Sequence, residues 1–226
     1  MWKKIRFITP QITASILFLI FSPVLIFCAA LIFLEDRRLP VHKSPRLGKG
    51  GRGFVLYKLR TMRPSSLSDA LVTSVKNPRI TFFGKIFRRL KVDELPQLIN
   101  IIKGDIGFIG PRPDVPEAFD LKQTLDRKIL SQKPGIFDLT SICLVQEGRV
   151  VEKLFKDRLS SLFFFKKRLS VASLERSTVF FKMCLWLLLF VRFCVPPLFL
   201  GCLKWFLEKH CFPKHIRALT LHYARL

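Results

Sequence analysis

The sequence predicts a mostly helical α/β protein with a small sheet, held at a membrane by its N-terminal segment and by amphipathic helices. Three observations carry that prediction. Ile12 to Leu34 is an uncharged run of 23 residues. Lys and Arg outnumber Asp and Glu by 39 to 16, a formal charge of +23, while half of all residues are hydrophobic. Between Leu39 and Glu152 short apolar runs alternate with Gly and Pro, and two of those runs repeat with helical spacing.

The N-terminal run would form a helix about 34 Å long, enough to cross the hydrocarbon core of a bilayer. It is too long for the apolar core of a signal peptide and no small-x-small cleavage site follows, so a cleaved leader is not expected. Ser22-Pro23 falls at its midpoint, where proline deletes a backbone hydrogen bond and crowds the preceding turn. Lys3, Lys4 and Arg6 precede the run and Arg37, Arg38, Lys43 and Arg46 follow it. Positive flanks favour the cytoplasmic side. A re-entrant helix hairpin broken at Ser22 and Pro23, entering and leaving by one leaflet, satisfies both observations. An ordinary kinked span is the alternative. On either reading residues 1–38 are the membrane segment.

Arg46 to Gly53 is a basic, glycine-rich stretch without the spacing of a P-loop or a dinucleotide fingerprint, and by itself reads as a solvated turn. Phe54 to Tyr57 predicts a strand. In an extended chain Lys58 and Arg60 then fall on one side, a two-pronged clamp for phosphate. Asn77-Pro78 breaks the chain. Phe82, Phe83, Ile86, Phe87 and Leu90 follow at helical spacing, interleaved with Lys85, Arg88, Arg89 and Lys91. That pattern describes either a helix lying among anionic headgroups or a core helix with a basic outer face. Leu95, Leu98, Ile99 and Ile102 predict a further helix, closed by Lys103-Gly104.

The chemistry concentrates at Arg88 to Gln97, where Asp93 and Glu94 sit behind three cations, Arg88, Arg89 and Lys91, and ahead of a helix start. The plain explanation makes Asp93 an N-cap and Glu94 a complement to the helix dipole, worth about 1 kcal/mol each. A cap needs only one carboxylate, however, and leaves the cations unexplained. Beside arginines both groups are expected to stay ionised near neutral pH, which suits a nucleophile or a magnesium ligand better than a general acid. The six cysteines have no paired metal-ligand spacing and read as reduced thiols, and the four histidines are scattered, so no zinc site is expected. The cations flank apolar runs and no nucleic-acid-binding motif is present. The expected partners are therefore phosphates and membrane lipids, and no nucleic acid.

Taken together, Ser22-Pro23, Leu39-Pro40, Arg46-Leu47-Gly48, Lys58-Leu59-Arg60-Thr61-Met62, Pro78-Arg79-Ile80-Thr81, Val92-Asp93-Glu94-Leu95-Pro96-Gln97, Lys103-Gly104-Asp105, Gly110-Pro111-Arg112-Pro113 and Lys133-Pro134-Gly135-Ile136 resemble the bacterial sugar transferases, the monotopic polyprenyl-phosphate phosphoglycosyl transferases. The resemblance covers roughly residues 12–150. It implies a monotopic membrane enzyme that moves a sugar phosphate from a UDP-sugar to polyprenyl (undecaprenyl) phosphate and so begins a cell-surface glycan. Asp93 would be the nucleophile and Glu94 the Mg²⁺ ligand. Arg88 and Arg112 would bind phosphate oxygens, with Pro111 and Pro113 fixing the loop that presents Arg112, and Lys58 and Arg60 would assist. The implied location is the bacterial inner membrane, with the site on the cytoplasmic face; a homodimer is left open. The rival expectation is a degenerate transferase acting as a basic scaffold at the membrane surface.

The implied organisation is a hairpin at 1–38, a catalytic domain at 39–155 and an atypical C-terminal region at 156–226. Phe137 stands where the family usually has a small polar residue, and a second hydrophobic segment at about 182–206 looks like an insertion. Arg192 would cost about 3 kcal/mol at a bilayer centre, which disfavours a clean span. With Pro196-Pro197 inside it, the segment is expected to form a second hairpin or an interfacial helix pair.

Overall fold

A computed structural model describes residues 2–64, 77–120, 122–143, 156–176, 178–194, 196–210 and 212–225. The boundary expected near residue 155 lies outside the described residues. They fall into two units: one built from the N-terminal helix, a hairpin and residues up to Phe108 with Pro113–Phe119, the other from Ile109–Arg112 and the chain from Asp120 onward.

The first unit begins with α1 (Trp2–Asp36), a helix of 35 residues that runs through Pro10 and Pro23. Its segment Pro10–Asp36 is long and apolar enough to cross a membrane, its most apolar 18 residues having a mean hydropathy of 2.9. Only one stripe is covered by protein: Ala14, Leu25, Cys28 and Ile32 are buried, whereas Leu19, Ile20, Ile26, Phe27 and Leu34 are more than half exposed. So much uncovered apolar surface marks a face that does not belong in water. Proline at position 23 cannot donate to the Leu19 carbonyl four residues back, and the Ser22 hydroxyl donates to that carbonyl instead, at 2.8 Å. Serine before proline thus repairs part of the hydrogen bonding that proline removes.

Strands β1 (Val41–Leu47) and β2 (Gly53–Leu59) form an antiparallel hairpin, with Val41 opposite Leu59 and Leu47 opposite Gly53. Sequence reasoning placed only β2. β1 was not predicted; its Pro45 lies opposite Val55 in a strand that, among the described residues, pairs with β2 alone, where a missing N–H is tolerated. Helix α2 (Phe82–Leu90) has Thr81 as its N-cap, its hydroxyl accepting from the Gly84 N–H at 3.0 Å. Glu35, near the end of α1, also accepts from the Phe82 and Phe83 N–H groups at 2.6 and 3.2 Å. Phe83 and Phe87 pack with Leu25, Cys28, Ile32 and Leu59, while Phe82 and Leu90 are 67% and 64% exposed. Helix α3 (Gln97–Lys103) packs on α1 and ends at Gly104 in the left-handed conformation, φ 85°. Asn100 is fully buried there. It accepts from the Tyr57 N–H and donates to the Val55 carbonyl and to Asp105, which locks α3 to β2.

Two short strands follow in the chain, β3 (Gly107–Ile109) and β4 (Gly135–Phe137); β4 lies in the second unit, which is mostly helical. That unit contains α4 (Thr124–Leu130), α5 (Leu139–Cys143), α6 (Lys156–Glu175), α7 (Val179–Cys194), α8 (Phe199–Lys209) and α9 (Lys214–Arg225). The hydrophobic segment near 182–206 therefore forms two helices, parted by a short turn at Pro196–Leu198. Their inner faces build the unit's core: Phe181, Leu185, Leu188, Phe199, Leu203, Phe206 and Leu207 pack with Leu139, Ile142, Leu169 and Phe212. Asp126 is fully buried, with Lys167 of α6 2.8 Å from its carboxylate and the Asp120 N–H at 2.7 Å. Phe137, the departure noted from sequence, lies edge-on to Trp186 of α7 with ring centroids 5.9 Å apart.

Candidate active site

The carboxylate pair does not sit at a helix N-cap. Lys91 takes a left-handed conformation, φ 58°, which ends α2 and turns the chain into a short 3-10 turn at Val92–Glu94. Helix α3 starts only at Gln97, with Pro96 at its N-cap position and no side chain capping it. The capping explanation for Asp93 is thereby removed: the residue that would have filled that role lies a turn too early. Asp93 is instead buried, 8% exposed, and its Oδ1 has no hydrogen-bond partner among the described residues. An orphaned carboxylate oxygen inside a protein is costly unless something else meets it.

Three cations act on Asp93 electrostatically: Lys58, Lys91 and Arg88. They draw its pKa down, but burial, aided by the neighbouring Glu94 charge, outweighs them and raises the carboxyl above its ordinary value. The sequence reading, which set ionisation by the arginines alone, omitted this desolvation. Glu94 is 12% exposed through its side chain, and Lys58 Nζ lies 3.5 Å from its Oε1. The Arg88 guanidinium is half-buried and donates from Nε to the Thr61 hydroxyl at 2.7 Å. Burial pushes its pKa down, opposed by Asp93.

Thr61 was not singled out from sequence. It is buried behind Arg88, and its carbonyl accepts from the Thr81 N–H at 3.2 Å, so one residue holds both the start of α2 and the arginine two turns along. Gly84 makes that approach feasible: a Cβ there would collide with the Thr61 carbonyl and lie 2.7 Å from the Thr81 hydroxyl. A glycine one turn ahead of an arginine, after a threonine cap, is the sequence signal that could have found it.

The first unit thus brings together Lys58, Arg88, Asp93 and Glu94. Arg60 is half-buried just beyond β2, its N–H donating to the Pro40 carbonyl at 2.7 Å. Pro113 is buried in the same unit, and next to it the Asp114 carbonyl accepts from the Leu47 N–H at 3.3 Å. Pro111 and Arg112 belong to the second unit, where the Pro111 carbonyl accepts from the Gly135 N–H at 3.0 Å. Among the described residues no three His, Cys, Asp or Glu side chains cluster as a metal cage. Two adjacent acids remain, one of them with an orphaned oxygen. Magnesium fits such a set, because it is commonly held by one or two carboxylates together with substrate phosphates.

The bacterial sugar transferase model matches residues 3–173, and the chain belongs to that family. It is 38% identical over 120 residues to an undecaprenyl-phosphate glucose phosphotransferase of Komagataeibacter xylinus, covering 52% of this chain and 23% of that protein. It is 42% identical over 96 residues to the UDP-N-acetylgalactosamine-undecaprenyl-phosphate N-acetylgalactosaminephosphotransferase of Aeromonas hydrophila, covering 42% and 23%. A UDP-glucose:undecaprenyl-phosphate glucose-1-phosphate transferase of Caulobacter vibrioides is 29% identical over 154 residues, covering 66% and 58%. The chain spans less than two thirds of the length of each of these relatives.

Proposed function

We propose that this protein transfers a sugar phosphate from a UDP-sugar to undecaprenyl phosphate, beginning a cell-surface glycan on the cytoplasmic face of the bacterial inner membrane. The observation that carries the reading is the buried Asp93 carboxylate, with one oxygen unpartnered among the described residues, set among cations and beside a second acid. A group kept in that state against its own solvation is poised for a ligand. The relatives' names, with their UDP-sugars and undecaprenyl phosphate, support the choice of substrates.

The reaction would run as two displacements at one phosphorus. An Asp93 oxygen attacks the β-phosphorus of the UDP-sugar. A carboxylate-oxygen–phosphorus bond forms as the bond to UMP breaks, and UMP leaves with the electron pair. The phosphate oxygen of undecaprenyl phosphate then attacks the same phosphorus and frees the Asp93 carboxylate. Both nucleophiles are anionic, so neither step needs a histidine base. Arg88, held by Thr61, would bind phosphate oxygens, with Lys58 and Arg60 balancing charge nearby. Glu94, with Asp93 beside it, would hold Mg²⁺, which supplies charge neutralisation on the diphosphate.

The lipid substrate keeps its phosphate among the headgroups, so the site must lie at that depth. In this reading α1, a single helix through Pro23 in the structure, would bend at Ser22 and Pro23 within the bilayer and return to the same side. The Ser22 hydroxyl on the Leu19 carbonyl supports the placement of this stretch in lipid, where a backbone acceptor freed by proline needs a local donor. The exposed row Phe82, Ile86 and Leu90 of α2 would rest on the membrane, with Lys85 and Arg89 reaching the headgroups.

The test is UMP release from a panel of UDP-sugars with undecaprenyl phosphate and Mg²⁺, abolished in Asp93→Ala and Glu94→Ala. No UMP from any donor overturns the catalytic reading and leaves the scaffold. For topology, single cysteines at positions 3 and 43 should both be shielded from a membrane-impermeant reagent in intact cells. Labelling of one alone refutes the hairpin.

A further inference from the structure

Helices α7, α8 and α9 lie wholly beyond residues 3–173, the stretch that the family accounts for. We propose that they form a second membrane-contacting surface, whose occupant is an anionic phospholipid layer, with a pocket lined by α8 and α9 receiving a lipid phosphate. The proposal is independent of the transfer reaction.

Each of the first two helices has a buried row and an apolar row left uncovered. On α7, Phe181, Cys184, Leu185 and Leu188 enter the core, while Met183, Trp186 and Leu187 are 63%, 45% and 57% exposed. On α8, Phe199, Leu203, Phe206 and Leu207 are completely buried, while Trp205 and the preceding Leu198 are 51% and 59% exposed. Tryptophan and large aliphatic side chains on the outside of a helix suit the boundary between headgroups and acyl chains. At 16 and 11 residues the helices measure roughly 24 and 16 Å, too short to span a bilayer. They can lie on it.

Charge selects the occupant. Residues 178–225 carry seven Lys and Arg against a single acid, Glu208. Exposed Lys182 and Lys204 directly precede Met183 and Trp205, placing cations beside the apolar rows. A pocket of about 240 Å³ is lined by Lys204, Lys214, Arg217, Glu208, Leu207 and Leu221. Its one carboxylate lies 3.9 Å from Arg217 and leaves an excess of positive charge. Cations over a leucine floor match a phosphate joined to an apolar chain. An acidic protein segment would answer the cations but not the exposed Met, Trp and Leu rows.

The test uses the full chain in lipid nanodiscs. Trp2→Phe with Trp186→Phe leaves Trp205 as the sole tryptophan. Its emission should fall about twofold when phosphatidylglycerol bears bromine on its acyl chains, and less in brominated phosphatidylcholine. Changing Lys204, Lys214 and Arg217 to Glu should weaken docking about a hundredfold and restore the emission. A companion variant retaining only Trp186 gives the same readout should the first lose its fold. Three results would overturn the proposal: no bromine quenching of either tryptophan, quenching indifferent to lipid charge and to the three substitutions, or release by millimolar inorganic phosphate at constant ionic strength. The last would make the pocket a site for soluble phosphate.

Discussion

Replacing Asp93 by Asn should abolish transfer and, at neutral pH, make the protein more stable. Asp93 is 8% exposed and its Oδ1 has no hydrogen-bond partner among the described residues. Burial and Glu94 together outweigh Lys58, Lys91 and Arg88, so the charged form is disfavoured in the folded chain and the pKa is raised. A raised carboxyl pKa favours the fold below the ordinary Asp value, and that contribution is lost as pH climbs through the folded-state value. Above it, wild type bears a charge that Asn lacks. An unsatisfied buried group costs about 1–3 kcal/mol. For a chain of this size that is an increase of about 2–10 °C in the Tm of Asp93→Asn. Thermal unfolding in detergent, repeated from pH 8 downward, should show this gap narrowing as the wild-type carboxyl takes up its proton. A lower Tm for Asp93→Asn at neutral pH, or a gap that ignores pH, refutes the electrostatic account of the site.

Three further substitutions probe the supports. Thr61→Val keeps the shape but removes the 2.7 Å acceptor from Arg88, and should lower kcat/KM for UMP release about tenfold with little change in Tm. Gly84→Ala drives a methyl group against the Thr61 carbonyl; α2 must shift, costing about 1–3 kcal/mol in thermal unfolding and carrying Arg88 out of place. Lys167→Met leaves Asp126 buried without its cation and should cost about 3–5 kcal/mol by denaturant titration, independently of the first unit's chemistry.

The sequence stated the elements of the site more fully than it stated their geometry. Helical spacing from Phe82 to Leu90 found α2, and strand propensity found β2. What escaped was nonlocal. β1 was not predicted, and Pro45 is tolerated in it because, among the described residues, β2 is the one strand paired with it. Asp93 looked like an N-cap because apolar spacing begins at Leu95; the left-handed turn at Lys91, a non-glycine residue, has no sequence signature that would have moved the helix start to Gln97. Leu98 and Ile99 belonged to the expected apolar stripe, but the fully buried position is Asn100, whose value depends on Tyr57, Val55 and Asp105 arriving from elsewhere. Phe137 read as an anomaly until its ring partner Trp186 came into view in the C-terminal helices. The two departures from the family pattern are one packing arrangement.

The central claim is that Asp93 carries the sugar phosphate between donor and lipid. Intact-protein mass spectrometry after mixing with UDP-sugar and Mg²⁺, without the lipid acceptor, tests it directly. Wild type should gain the mass of one sugar phosphate and lose it on addition of undecaprenyl phosphate, while Asp93→Asn gains nothing. Turnover by wild type with no such adduct, or an adduct of equal yield on Asp93→Asn, would contradict the account.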